Sequence, residues 1–435
     1  MVGSYRVVTT FKQEYRMRGF TAPGATGTRR IPCGFGLEIR GELNPRLLES
    51  ALTWVARRHS ALRVYFPRNL APRESCCTDP ASVTWTLRQV DLKDFPEADR
   101  TEAESREILA LLDYFDPTEF PLFRGCLTRL NHETWRLGIA VDHLIFDGGS
   151  IGIFFTDLEL IYHHLAAGRN PGDLVDGGSD YALYCYAERE WANSEAAQRA
   201  AEHWRKEWAE VGPRPPSGLP LPRLPREPAG RIWQRPLSAT RVAAVQRSFR
   251  QGHTSIFALL SSSVLYSMRE IAGAADYALM QTTSSRSLPR HAGTIGDMSN
   301  IVLLRASAGA PVDWISYCAQ ARNSVLDTME YFNVPFYFLI DSIFPGWSRD
   351  PSLAPDLSVN FNRIPRPPRL ANMVVRFWSP ISKELFVNAA SITVDLAQID
   401  DDEMMLSAGY ESSSLDEAMA DELMCRVADR LTIAT

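Results

Sequence analysis

Two residues four apart carry the first chemical suggestion in this chain. His143 and Asp147 stand in the stretch Trp135–Ser150, WRLGIAVDHLIFDGGS, and Gly148-Gly149 follow the acid directly. Histidine titrates near neutrality, so it can take and return a proton at working pH. Trp135, Leu137, Ile139 and Val141 alternate with Arg136, Gly138 and Ala140, which is the period of a half-buried strand. After the Asp-Gly-Gly turn, Ile151, Phe154, Phe155, Leu158, Ile161, Tyr162 and Leu165 share one helical face, and Ser150 suits the cap. The stretch thus predicts a histidine at a strand end, an acid in the turn, and a helix behind them over 150–166.

DHLIFDG resembles the HHxxxDG motif of the condensation domains of nonribosomal peptide synthetases, shared with the wider chloramphenicol-acetyltransferase-like acyltransferases. His143, Asp147 and Gly148 fall on the second His, the Asp and the Gly, and Asp142 replaces the first His. Further stretches resemble that family's motifs in its order. Phe11–Met17 (FKQEYRM) resembles the first, with its Gln and Arg. In Arg57–Phe66 (RRHSALRVYF), Arg58, His59, Leu62, Arg63 and Phe66 match RHExLRTxF, while Ser60 and Val64 depart from it. Pro121–Leu130 resembles the strand that pairs with the motif strand, with Asn131-His132-Glu133 as the turn. Ser179–Tyr184 resembles YxDYAxW. The run from His253 to Arg286 resembles the segment leading to a characteristic Arg. Ile295, Gly296 and Asn300 match IGxFVNT, and Asn333–Phe336 resembles (H/N)QDxPF.

The surrounding elements fit. Asn44 and Pro45 open a helix to Arg58, and Cys33–Arg40 alternates like a strand. Thr84–Leu92, Tyr277–Met280, Leu357–Asn362, Ser391–Asp395 and Glu403–Tyr410 read as strands. Asp99–Leu112, Ala196–Ala209, Ser238–Gln251, Thr254–Ala272 and Ser414–Leu431 read as helices. Gly212–Gly230 holds seven prolines and reads as an extended linker. The expected organisation is α/β: a lobe over 1–211 bearing the motif, a linker over 212–230, and a second lobe over 231–435. By the resemblance, each lobe is acetyltransferase-like, a mixed sheet flanked by helices, and the two form a V.

Composition narrows the class. With 435 residues, 45% hydrophobic and 23% charged, the chain is an ordinary globular one, long enough for two cores. A net charge of −6 and the lack of a basic run argue against nucleic acid. No run approaches the roughly 18 apolar residues of a membrane span, and no signal-peptide core opens the chain. Seven scattered cysteines, with no CxxC spacing, predict reduced thiols, no metal site and a cytoplasmic location.

The resemblance implies a free-standing condensation enzyme. It would join an acyl or aminoacyl thioester to an amine or hydroxyl acceptor, giving an amide or ester. His143 is the implied base, and the Gly148 backbone N–H would lie near the reacting carbonyl. Asp147 would be structural, ion-paired with Arg286, and Asp142 a supporting residue. No bound cofactor is implied. The donor would ride on the phosphopantetheine of a peptidyl or acyl carrier protein, or on coenzyme A, with Arg363, Arg366 and Arg369 as a candidate docking patch. Two other readings stay open. Asp142, Asp147 and Ser150 also fit the DxxxxDxxS of heterocyclisation domains, and a replaced first His is compatible with an inactive carrier- or partner-binding module.

Overall fold

The alternation of Thr134–Val141 becomes a strand near the middle of a five-stranded sheet. Its neighbours are Cys33–Arg40 on one side and Phe123–Arg129 on the other, both antiparallel, with Cys33 and Phe123 each opposite Val141. Val374–Trp378 extends the sheet beyond Cys33–Arg40, antiparallel, and Leu87–Asp91 closes the other edge in parallel. The computed structural model describes residues 3–21, 32–175, 180–209, 230–251, 255–273, 277–306, 309, 313–329, 331–344, 346–347, 355–380, 391–412 and 415–433. Most of the Pro-rich stretch 212–230, together with Ser179 and His253, lies outside them.

The sheet belongs to the first of two compact units, formed by Met1–Asn193, Ser285–Ser299 and Pro365–Ser382. Gly36 and Gly138 face each other across the central pair. A Cβ on Gly36 would stand 2.4 Å from the Leu137 carbonyl oxygen and 2.8 Å from the Trp378 ring, so only glycine lets this edge strand close. Behind the sheet, Phe35 stacks on Phe146 at 5.4 Å and meets Phe154 and Phe155 edge-on. The helix Pro45–Arg58 starts where Asn44 accepts from the N–H groups of Arg46 and Leu47, and it packs on the helix Gly148–Ala166. His59 meets Asp157 of that second helix at 2.6 Å, and Arg58 adds a bond at 3.2 Å. Arg63, one of the residues matching RHExLRTxF, is buried and donates to the Thr78 carbonyl at 2.6 Å. A three-stranded sheet of Ser4–Val8, Glu74–Thr78 and Val64–Tyr65 completes the unit's strands among the described residues.

The second unit holds Ser194–Ser284, Asn300–Ile364 and Lys383–Thr435. Its six-stranded sheet runs Ser299–Ala306, Tyr277–Ser284, Leu357–Arg363, Ile392–Gln398, Met404–Glu411, Gly230–Leu237. The helices Ile256–Ala272 and Glu417–Arg430 pack against each other and cover its apolar face. Asn300, in the strand Ser299–Ala306, ties down the connection that leads into the helix Phe336–Ile343. Its amide donates to the Phe332 and Val334 carbonyls at 2.8 and 2.6 Å and accepts from the Phe336 N–H at 2.9 Å. The strand Gly230–Leu237 is not among the elements read from sequence, and Pro236 lies in it. At the sheet edge a missing N–H costs no ladder bond.

Candidate active site

His143 follows the strand Thr134–Val141 directly, and the loop 142–147 is fixed from several sides. Asp142 is 3% exposed, and its carboxylate accepts from the Leu144 N–H at 2.7 Å, which turns the chain. From the helix Phe11–Thr21, Arg16 donates to the His143 carbonyl at 2.8 Å and Gln13 to the Leu144 carbonyl at 2.7 Å. The Cys33 thiol reaches the Phe146 carbonyl at 3.6 Å. The backbone on both sides of the imidazole is therefore held.

Asp147 ends this loop and caps the helix Gly148–Ala166. Its Oδ1 accepts from the Ser150 N–H at 2.9 Å and from the Ser150 hydroxyl at 2.8 Å. The cap is Asp147, not Ser150 as the sequence suggested, because the helix begins two residues earlier. The other oxygen, Oδ2, accepts from Arg286 at 2.7 Å and from the Met298 N–H at 2.9 Å. Arg286 also donates to the Ser150 hydroxyl and to the Gly296 and Thr294 carbonyls. Side-chain exposures of 10% for Arg286 and 3% for Asp147 make this a buried, fully bonded pair. Gly296 sits tightly: a Cβ there would lie 2.2 Å from the Tyr181 ring. Gly148 and Gly149 are exposed, at the positive end of the helix.

A second buried acid meets the imidazole. Asp297 Oδ2 lies 3.7 Å from His143 Nδ1, a charge contact longer than a hydrogen bond. Asp297 is 1% exposed and is bonded by Lys12 at 2.8 Å and Arg16 at 3.0 Å. Burial alone would raise the Asp297 carboxyl, but Lys12, Arg16 and His143 hold it well below the usual carboxylate range. For Lys12, burial outweighs the attraction of Asp297 and lowers its pKa. For His143, burial opposes the charged ring, yet Cys33 and Asp297 together push its pKa up from 6.5 to about 10. His143 nevertheless keeps 36% of its side-chain area exposed. The arrangement offers a proton carrier with one edge open, beside an exposed helix N-terminus whose N–H groups can face a developing negative charge.

The family model for the condensation domain matches residues 34–431. The chain belongs to the condensation-domain family. The chondramide synthase of Chondromyces crocatus is 25% identical over 330 residues, which are 74% of this chain and 8% of that protein. The phosphinothricin tripeptide synthetase PhsC of Streptomyces viridochromogenes is 26% identical over 314 residues, 70% of this chain and 28% of that one. The chain therefore spans a small part of the length of these relatives. The epimerization domain from the third module of tyrocidine synthetase B superposes with a TM-score of 0.81 at 15% identity, covering 99% of this chain and 96% of that one. The X-domain from teicoplanin biosynthesis gives 0.80 at 20%, covering 98% and 94%. The first condensation domain of the calcium-dependent antibiotic synthetase gives 0.75 at 18%, covering 98% and 96%. The fold class is accordingly the acetyltransferase-like α/β fold of condensation domains.

Within this condensation fold, Asp142, His143, Asp147, Gly148 and Arg286 gather around one loop. Asp142 is engaged with the backbone rather than with the imidazole. Lys12 and Asp297 were not singled out from sequence. Asp297 lies inside the stretch read for Ile295, Gly296 and Asn300, and Lys12 lies beside the Gln13 and Arg16 of the first motif. Their only sequence signal was a charge within a matched motif, at positions the motif leaves open.

Proposed function

We propose that this chain catalyses condensation: it transfers an acyl or aminoacyl group from a thioester to an amine or hydroxyl, as an amide or ester. The observation that carries this reading is His143, fixed by its backbone at a strand end with an open ring edge, in the loop that leads to the exposed helix start at Gly148. For an amine acceptor, the new C–N bond forms as the C–S bond breaks. The nitrogen loses one proton and the departing sulfur gains one: His143, held in its charged form by Cys33 and Asp297, gives a proton to the sulfur and takes one back from the nitrogen. The Gly148 N–H stabilises the carbonyl oxygen as negative charge gathers there. The Asp147–Arg286 pair keeps the helix start in place. No covalent acyl-enzyme is needed, because the acceptor attacks the thioester directly. The names of the relatives, synthetases of peptides, support a place in nonribosomal peptide or related natural-product assembly.

The donor is carried on the phosphopantetheine of a carrier protein. Of the three arginines considered for docking that carrier, Arg366 is paired with Glu159 at 2.9 Å, Arg363 bonds Gln398 at 3.1 Å, and the Arg369 N–H donates to the same Glu159 at 2.8 Å, so each already has a partner within the chain. The test compares one acyl group on a carrier, on coenzyme A and on a short pantetheine mimic, with amine and hydroxyl acceptors. We expect an amide or ester, faster from the carrier, and a loss of order 10²–10⁴-fold in His143→Ala. A ring formed with loss of water would indicate heterocyclisation, binding without turnover would indicate an inactive module, and an unchanged His143→Ala rate would remove His143 from the reaction.

A further inference from the structure

A buried charge cluster of the first unit surrounds a residue that the condensation reading leaves without a role. Asp297 comes from the loop between Thr294 and Met298, yet it meets three cationic or titratable side chains from elsewhere. Lys12 spends its bonds on Asp297 Oδ1 and on the Ser299 carbonyl and hydroxyl. Arg16 donates through Nη1 both to Asp297 Oδ2 and to the His143 carbonyl. One guanidinium thus fixes the carboxylate and the backbone of the histidine together. Behind them, Tyr181 donates to the Asp297 carbonyl at 3.1 Å. His143 Nδ1 is fully buried and has no hydrogen-bond partner, and Asp297 is the acid facing it. The 36% exposure of the side chain therefore lies away from Nδ1.

We propose that Asp297 is a positioning residue for His143: clamped by Lys12 and Arg16, its carboxylate holds the Nδ1–H edge of the ring inward and leaves Nε2 as the edge that meets substrate. The proposal rests on the condensation reading for its purpose, but not for its geometry. A carboxylate behind one ring nitrogen fixes the tautomer and favours the charged ring. Closing the 3.7 Å contact between Nδ1 and Asp297 to hydrogen-bond length would need only a small movement of the ring. The other charged and titratable groups meeting this loop are Lys12 and Arg16 from the helix, Cys33 from the neighbouring strand, Asp142 on the loop itself, and the Asp147–Arg286 pair. Cys33 and Asp297 favour the imidazolium, and the two cations keep Asp297 charged.

The test is ring-nitrogen NMR on the full 15N-labelled chain, without substrate. His143 is assigned among the eight histidines by the signal lost in His143→Gln. In the wild type we expect titration above the ordinary imidazole range and a neutral form that carries its proton on Nδ1. Asp297→Asn should lower the midpoint by on the order of one pH unit or more. Lys12→Met, which frees the carboxylate's charge toward the ring, should raise it. A residue of purely structural importance would not give shifts of opposite sign. A neutral wild-type ring protonated on Nε2, or a midpoint unmoved by Asp297→Asn, would overturn the proposal. If Asp297→Asn does not fold, the wild-type tautomer and the Lys12→Met shift still decide. Failure of acyl transfer with this titration intact would count against the condensation reading alone.

Discussion

At the scale of single residues, the site separates charges that hold from charges that act. Asp147 holds. Each carboxylate oxygen has two donors, and the partner Arg286 spends its donors on Asp147, Ser150 and two carbonyls. Replacing Asp147 by Asn leaves a buried guanidinium without its counter-charge, and breaking such a pair costs about 3–5 kcal/mol. Asp147→Asn should therefore melt well below the wild type in a thermal scan. A variant that melts like the wild type yet transfers no acyl group would move Asp147 from scaffold to chemistry. His143 differs, because its ring keeps an open edge while its backbone is held.

At the scale of elements, the sheet of the second unit carries a pH-sensitive position. Asp395 lies mid-strand in Ile392–Gln398, opposite Asn360, whose amide donates to it at 2.9 Å. Burial raises its pKa from 3.8 to about 6, and the single bond from Asn360 offsets only part of that. The folded chain binds this proton more tightly than the unfolded chain does. The stability it contributes is present below the unfolded value of 3.8 and is lost as pH rises through about 6, about 3 kcal/mol in all. Asp395→Asn keeps the acceptor for Asn360 and removes the charge. Its melting temperature should exceed that of the wild type at neutral pH, and the difference should vanish on acidification. Parallel melting curves across that window would refute the assignment.

At the scale of the whole molecule, the first unit borrows from later sequence. Segment 285–299 brings Arg286 and Asp297, and 365–382 brings the edge strand Val374–Trp378. A fragment of residues 1–211 would lack both. Asp147, Lys12 and Arg16 would lose their buried partners, and Cys33–Arg40 would become an open sheet edge, prone to pairing with other chains. Expressed alone, that fragment should aggregate or unfold without a cooperative transition. A sharp thermal transition of a monodisperse 1–211 fragment would show that the borrowed segments are dispensable. Among the described residues no helix is long and apolar enough to cross a membrane.

By itself the sequence determined what depends on near neighbours. The period of Thr134–Val141, the Asn44 cap with Pro45 behind it, and the turn after Phe146 each involve residues within a few positions of one another, where sterics and backbone bonding act without the rest of the chain. Family resemblance added the order of the motifs and the Asp147–Arg286 pair, whose members are 139 residues apart. The tertiary structure alone decided which charges meet His143. Lys12 and Asp297 are 285 positions apart, and a single acid in a loop carries no period to announce it. It also decided that Val374–Trp378 joins Cys33–Arg40 and that Gly230–Leu237 is a strand despite its proline. Strand pairing and buried ion pairs are set by desolvation and by partners across the fold, so their energies exist only once the chain has closed on itself.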